Sequence, residues 1–182
     1  MHKEPKIKYD ILSLFPGYFK GPFDVSMIKR ALDNGIIDIK LKNLRDFSEG
    51  KHQQADSRPY GGGSGMVLMA EPVFKAIESA RGPCSHVVYL TPQGKPLTAK
   101  RCKELSLKNH LIILCGHYKG IDERVIDLHV DEEISIGDFV LTSGAPAAVA
   151  LVDSVSRFIP GVMGNEDSTK EDSFEEGLFD AP

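Results

Sequence analysis

Apolar and polar positions along the chain switch repeatedly between a period near two and a period near 3.6. Residues 7–14 (IKYDILSL) predict a first strand, closed by Phe15-Pro16-Gly17. In 24–33 (DVSMIKRALD), Val25, Ile28, Ala31 and Leu32 fall on one helical face, and Asn34-Gly35 is a helix stop. In 36–43 (IIDIKLKN), Ile37, Ile39 and Leu41 alternate with Asp38, Lys40 and Lys42, the pattern of a half-buried strand. A polar stretch without periodicity follows over 45–65. HVVYLT (86–91) and LIILCG (111–116) are continuous apolar runs, which predict strands covered on both faces. A helix is expected between them over 98–107, and a second opens at Asp122 and Glu123, where carboxylates suit the positive end of the helix dipole. EEISIGDFVL (132–141) reads as extended, and 145–158 is apolar on a helical period. This alternation predicts an α/β fold, a parallel sheet with helices on both faces.

Composition narrows the class. At 182 residues, 41% hydrophobic and 26% charged, the chain fits one globular domain with a substantial core. No apolar run reaches the ~18–20 residues that span a bilayer, and MHKEPKIKYD lacks a secretory h-region. A cytoplasmic protein without a membrane partner is expected. Cys84, Cys102 and Cys115 are odd in number and widely spaced, which predicts reduced thiols and no metal site. The net charge of −4 argues against a general nucleic-acid coat but leaves room for a local basic patch.

An open α/β sheet binds its ligand at the carboxyl ends of its strands. Three strand exits here carry glycine with small or hydroxyl residues: YLTPQGKPL, CGHYKGIDERV and SIGDFVLTSG. None is a dinucleotide or triphosphate cradle. Each alone reads as a plain turn, whereas three along one edge predict a shared ligand. RPYGGGSGM (58–66) places four glycines in five positions beside Arg58, Tyr60 and Met66, and read alone it is a mobile surface loop.

Taken together, SLFP (13–16), RPYGGGSGM, these three exits, DSVSRFIPGVMGNEDS (153–168) and EDSFEEGL (171–178) closely resemble the bacterial tRNA guanine-N1 methyltransferases, the TrmD family of the SPOUT superfamily. The resemblance runs from about residue 7 to the last residue. It implies a deep C-terminal trefoil knot, a homodimer with no other protein partner, and tRNA as the substrate. The reaction implied is methylation of N1 of the guanine at tRNA position 37, 3′ of the anticodon, with S-adenosylmethionine as donor and Mg2+ as a candidate additional ion. Two alternatives stay open: a knotted cofactor- or RNA-binding module without turnover, or another SPOUT RNA methyltransferase.

The same resemblance assigns residues. Tyr89, Leu90, Thr91 and Pro92 would form one wall of the cofactor pocket, Gly116 and Tyr118 a second, and Ile136, Gly137, Asp138, Phe139, Val140, Leu141 and Gly144 a third. Arg58, Tyr60, Gly61, Gly62 and Gly63 would meet the RNA, with bare backbone letting a splayed base lie close. The N1 nitrogen carries a proton at neutral pH, so a base must remove it and a cation near O6 must hold the developing charge. Those roles fall by resemblance to Asp172 and Arg157. On composition alone, Asp172 is one of several solvated acids and Arg157 a helix-end cation.

Departures from the family pattern concern the cofactor end. Lys119 stands where many members carry an acid, and SGAPAAV (143–149) replaces a GGELPA-like stretch. Residues 1–164 are expected to form the knotted domain and 165–182 the start of a mobile linker, without the family's helical C-terminal domain.

Overall fold

A computed structural model of the chain describes residues 4–51, 53–59, 62 and 65–164. Five strands, β1 (Ile7–Ser13), β2 (Ile37–Asn43), β5 (Ser85–Pro96), β6 (His110–Cys115) and β7 (Glu132–Ser135), form one sheet in the order β2-β1-β6-β5-β7. Every pairing in it is parallel. Two short strands, β3 (Asp56–Ser57) and β4 (Val67–Leu68), pair antiparallel outside the sheet.

The helices divide between the two faces, as the alternation of β and α segments predicts. On one face, α1 (Ser26–Asp33), α3 (Ala99–Ser106) and α5 (Ala145–Ser156) bury Ile28, Leu105 and Leu151 against Tyr9, Ile11, Leu111 and Ile113. On the other, α2 (Ala70–Ala80) and α4 (Glu123–His129) bury Val73, Ile77 and Val125 against Leu12, Val87, Ile112 and Leu114. Successive residues of β6 thus enter different cores, which is why this strand reads as unbroken hydrophobic sequence.

Helix ends follow local chemistry. Thr98 and Asp122 cap α3 and α4 by accepting the N–H of Arg101 and Arg124. Asn34 and Gly35, the latter at φ 64°, terminate α1 as expected. The two hydroxyls of Tyr9 and Ser156 share a buried 3.0 Å hydrogen bond that fastens the end of α5 to β1.

Some expectations are corrected. Val25 is exposed, because α1 starts after it, and Leu41 is exposed because β2 is an edge strand. The extended reading of 132–141 holds only to Ser135. There the Ser135 hydroxyl accepts the Gly137 N–H at 3.2 Å and donates to the Gly137 carbonyl at 3.0 Å, turning the chain out of the sheet. Nothing in the periodicity pointed to α2, whose buried Pro72, Val73, Ala76 and Ile77 make a narrow stripe. Asp172, Tyr60, Gly61, Gly63 and the expected linker lie outside the described residues.

Main chains meet closely at the carboxyl edge. Leu90 and Lys95 of β5 both pair with Ile134, so residues 91–94 arch outward between them. A Cβ on Gly94 would stand 2.5 Å from the Ile134 backbone nitrogen, and one on Gly144 would stand 2.9 Å from Cys115 Cα. Neither neighbour is a side chain that can swing away. Gly94→Ala is therefore expected to lower the unfolding free energy by about 1–3 kcal/mol, the usual cost of overpacking. Gly17→Ala, with nothing near its Cβ, should not show that loss. Equilibrium urea unfolding of the two variants checks this.

Candidate active site

The arch of β5, the loop after β6 and the loop after β7 enclose a cavity of about 510 Å3 at the carboxyl edge of the sheet, within the ~300–1,000 Å3 of small-molecule sites. Thr91, Pro92 and Gln93 reach it because the bulge lifts them from the sheet, while Tyr89 and Leu90 form its floor. Gly116 and Tyr118 contribute from the second loop, and Ile136, Gly137, Phe139, Val140, Leu141 and Gly144 from the third. Of the residues assigned to this pocket from sequence, Asp138 is the exception: it does not line the cavity.

The second and third loops are stitched together. The Gly144 N–H donates to the Gly116 carbonyl at 2.7 Å, and His117 bridges antiparallel to Ser143. Departure from the family's usual third loop is absorbed locally, since the Ser143 hydroxyl accepts the Ala145 N–H at 3.3 Å. Pro146 falls in the first turn of α5, where no N–H partner is needed. Lys119, which sequence reading set at the cofactor end, also lines the cavity, as do Glu123, Ser135 and Thr142; sequence reading did not assign those three, because polar residues in turns carry no periodic signal.

Charge and burial shape the walls. Burial pushes the Tyr89 phenol up to about 12, against the opposing pull of a hydrogen bond with Thr91, so this ring is a neutral hydroxyl at physiological pH. Burial likewise lowers the His117 pKa, with the Asp56 carboxylate pulling the other way. The imidazole is therefore biased toward its neutral form. Tyr118 takes a left-handed backbone conformation (φ 58°), and its phenol is shifted upward by desolvation and by Asp56. Among the described residues no group of three or more His, Cys, Asp or Glu side chains is placed to hold a metal ion, and no helix is long and apolar enough to cross a membrane.

The glycine-rich segment is the loop of the β3–β4 hairpin. Arg58 is exposed beside it, and Gly62 (φ 88°) donates its N–H to the Pro59 carbonyl. Its base is tied to the second cavity loop. Lys119 N–H donates to Met66 O at 3.1 Å, Leu68 N–H to Gly120 O at 3.0 Å, and Asp122 N–H to Leu68 O at 3.2 Å. Sequence reading assigned the one segment to RNA and the other to the cofactor pocket, and their main chains are in contact.

Arg157 is placed elsewhere. It caps the carboxyl end of α5, a helix of 12 residues whose first turn borders the cavity. At ~1.5 Å per residue that sets it roughly 18 Å away. The Lys6 ammonium, just before β1, donates to the Pro160 carbonyl at 2.8 Å, so the segment after α5 sits at the opposite edge of the sheet. Within one chain Arg157 does not reach the cavity.

Comparison with known proteins agrees with the geometry. Residues 7–182 match the family model described as tRNA (guanine-1)-methyltransferase TrmD. A protein of Protochlamydia amoebophila named tRNA (guanine-N(1)-)-methyltransferase is 58% identical over 173 residues, covering 95% of this chain and 78% of that protein. The protein of the same name from Chlamydia pneumoniae is 58% identical over 176 residues, and the chain spans about half of its length (48%). The one from Dictyoglomus turgidum is 51% identical, with 97% of this chain and 71% of its own length covered. The chain belongs to the tRNA (guanine-1)-methyltransferase family, TrmD.

Proposed function

We propose that the chain transfers the methyl group of S-adenosylmethionine to N1 of the guanine at tRNA position 37, as a cytoplasmic homodimer whose carboxyl-edge segments are threaded into the family's trefoil knot. The observation that carries this reading is the cavity itself. Three glycine-containing loops enclose it, and the glycine hairpin assigned to RNA is hydrogen-bonded to its second wall. The close main-chain contacts at Gly94 and Gly144 are compatible with the tight loop packing such a knot needs.

The donor fits the residues present. Apolar Leu90, Ile136 and Leu141 suit a flat base, the missing side chains of Gly116 and Gly144 leave room for it, and Lys119 with Glu123 offer opposite charges for an amino-acid zwitterion. When bound, S-adenosylmethionine supplies an electrophilic methyl group and its own thioether leaving group. The protein's task is to hold the guanine in line and manage one proton. Asp172 accepts the proton from N1, and Arg157 holds the negative charge that builds on O6.

Because Arg157 lies at the far edge from its own cavity, the site we propose is composite: the cavity of one subunit faces Arg157 and the 160–182 segment of its partner. The first alternative, a binding module without turnover, shares the cavity but needs neither Asp172 nor Arg157.

Three outcomes are expected. Gly137→Val should abolish S-adenosylmethionine binding in calorimetry. A Cβ there would lie 2.5 Å from the Phe139 ring in a backbone conformation (φ 153°) that branched residues avoid, displacing the third wall. Unchanged affinity in the folded variant would remove that loop from the site. Asp172→Asn should slow single-turnover methylation by ~10²–10⁴, and Arg157→Ala by ~10²–10³, with cofactor affinity unchanged in both. Assays run with Mg2+ and with EDTA, and turnover of Asp172→Asn within about threefold of the parent contradicts its role, given the ~10² minimum for a lost base. Finally, sedimentation should show a dimer at micromolar concentration. Mixed dimers of Asp172→Asn with Gly137→Val chains should regain activity, because one cavity then meets an intact partner. Dead mixed dimers would place both groups in one chain.

A further inference from the structure

Three neighbouring strand exits each contribute one group to an aromatic patch beside the cavity. Phe15 leaves β1 with its N–H donated to Ser13 Oγ at 3.1 Å, and it is 50% exposed, whereas Phe19 and Phe23 in the core are 1% and 5% exposed. Arg45 leaves β2 in a short turn where Asn43 Oδ1 accepts its N–H, and its guanidinium carbon lies 6.0 Å from the Phe15 ring centre. His117 leaves β6 with its ring 5.2 Å from Phe15 and 4.3 Å, edge-on, from Tyr118. Because His117 and Tyr118 are also cavity wall, the patch is continuous with the active site. Asp56, at the base of the glycine hairpin, acts on both Tyr118 and His117.

Packing alone does not account for a phenylalanine half open to water and set against a cation. An exposed ring with a planar guanidinium alongside is the pairing on which unpaired nucleobases stack, while the cation meets the phosphate. The net charge of the chain is negative, so such a cation acts locally.

We propose that Phe15, supported by His117 and Arg45, stacks a nucleobase that flanks the target guanine in the tRNA loop. This sets where the guanine lies relative to the cavity. The proposal rests on the tRNA reading above and makes Phe15 a positioning residue. No bond to the methyl group or the guanine ring is involved.

The test uses the chain as it is and RNA stem-loops carrying the target guanine, with an abasic nucleotide placed in turn on each side of it. Binding is read by fluorescence anisotropy without cofactor. One of the two abasic loops should bind the parent protein about 5- to 150-fold more weakly, the range for stacking one base on an aromatic ring. Phe15→Ala should lose a similar factor on the intact loop and little more on that abasic loop, and Phe15→Tyr should restore binding. Arg45→Ala should reduce the salt slope by about one charge. Both abasic loops binding the parent within twofold of the intact loop would overturn the proposal, and that measurement needs no variant to fold. Full additivity of the Phe15→Ala and abasic losses would also overturn it. Stacking without methyl transfer would sink the proposed reaction and leave this patch standing; methyl transfer without stacking does the reverse.

Discussion

Backbone lying directly on backbone at the carboxyl edge of the sheet is the constraint on which the other features depend. At Gly94 and Gly144 the space for a methyl group is already taken by main-chain atoms of Ile134 and Cys115, and an interior packed to crystal density has no slack to move them. The cavity walls are therefore positioned by strand register rather than by side-chain rotamers. That is why unusual residues in these loops do little harm to their course. Ser143 and Pro146 start α5 by their own local chemistry, and Lys119 joins the wall through its main-chain N–H to Met66.

The sheet, the helices on both faces and the three loops that enclose the cavity were legible in the sequence, because each rests on a periodic pattern or on glycine at a strand exit. The misreadings have physical causes. IGDFVL looks like strand, yet a serine hydroxyl and Gly137 turn the chain, leaving Phe139 51% and Val140 83% exposed at the cavity mouth. α2 was hidden by Pro72 and by Phe74, which points away from the core at 40% exposure. Asp172 and Arg157 came from resemblance alone, since no pattern separates them from a solvated acid and a helix-end cation. The patch of Phe15, Arg45 and His117 could not be read at all. It exists only because the strand order puts the exits of β2, β1 and β6 side by side.

The hairpin and the second cavity loop share three main-chain hydrogen bonds, all 3.0 to 3.2 Å long. Neither can open without leaving the other's amides unpaired, so they behave as one cooperative unit in the sense of native-state local unfolding. A ligand that orders one of them orders both.

Strand order has a further effect during synthesis of the chain. β1 lies near the amino end, yet one of its two neighbours is β6: Asp10 meets His110 across 100 residues, and Tyr9 meets Ser156 across 147. At ~5–20 residues per second, β1 waits roughly 5–20 s on the ribosome before β6 exists. Until then its hydrogen-bonding edge, flanked by Ile7, Ile11 and Leu12, is open to any passing strand. Contacts this distant in sequence also slow the final assembly. The carboxyl edge is completed only once β7 and α5 have emerged, so misassembly rather than a shallow energy minimum is the hazard this topology carries.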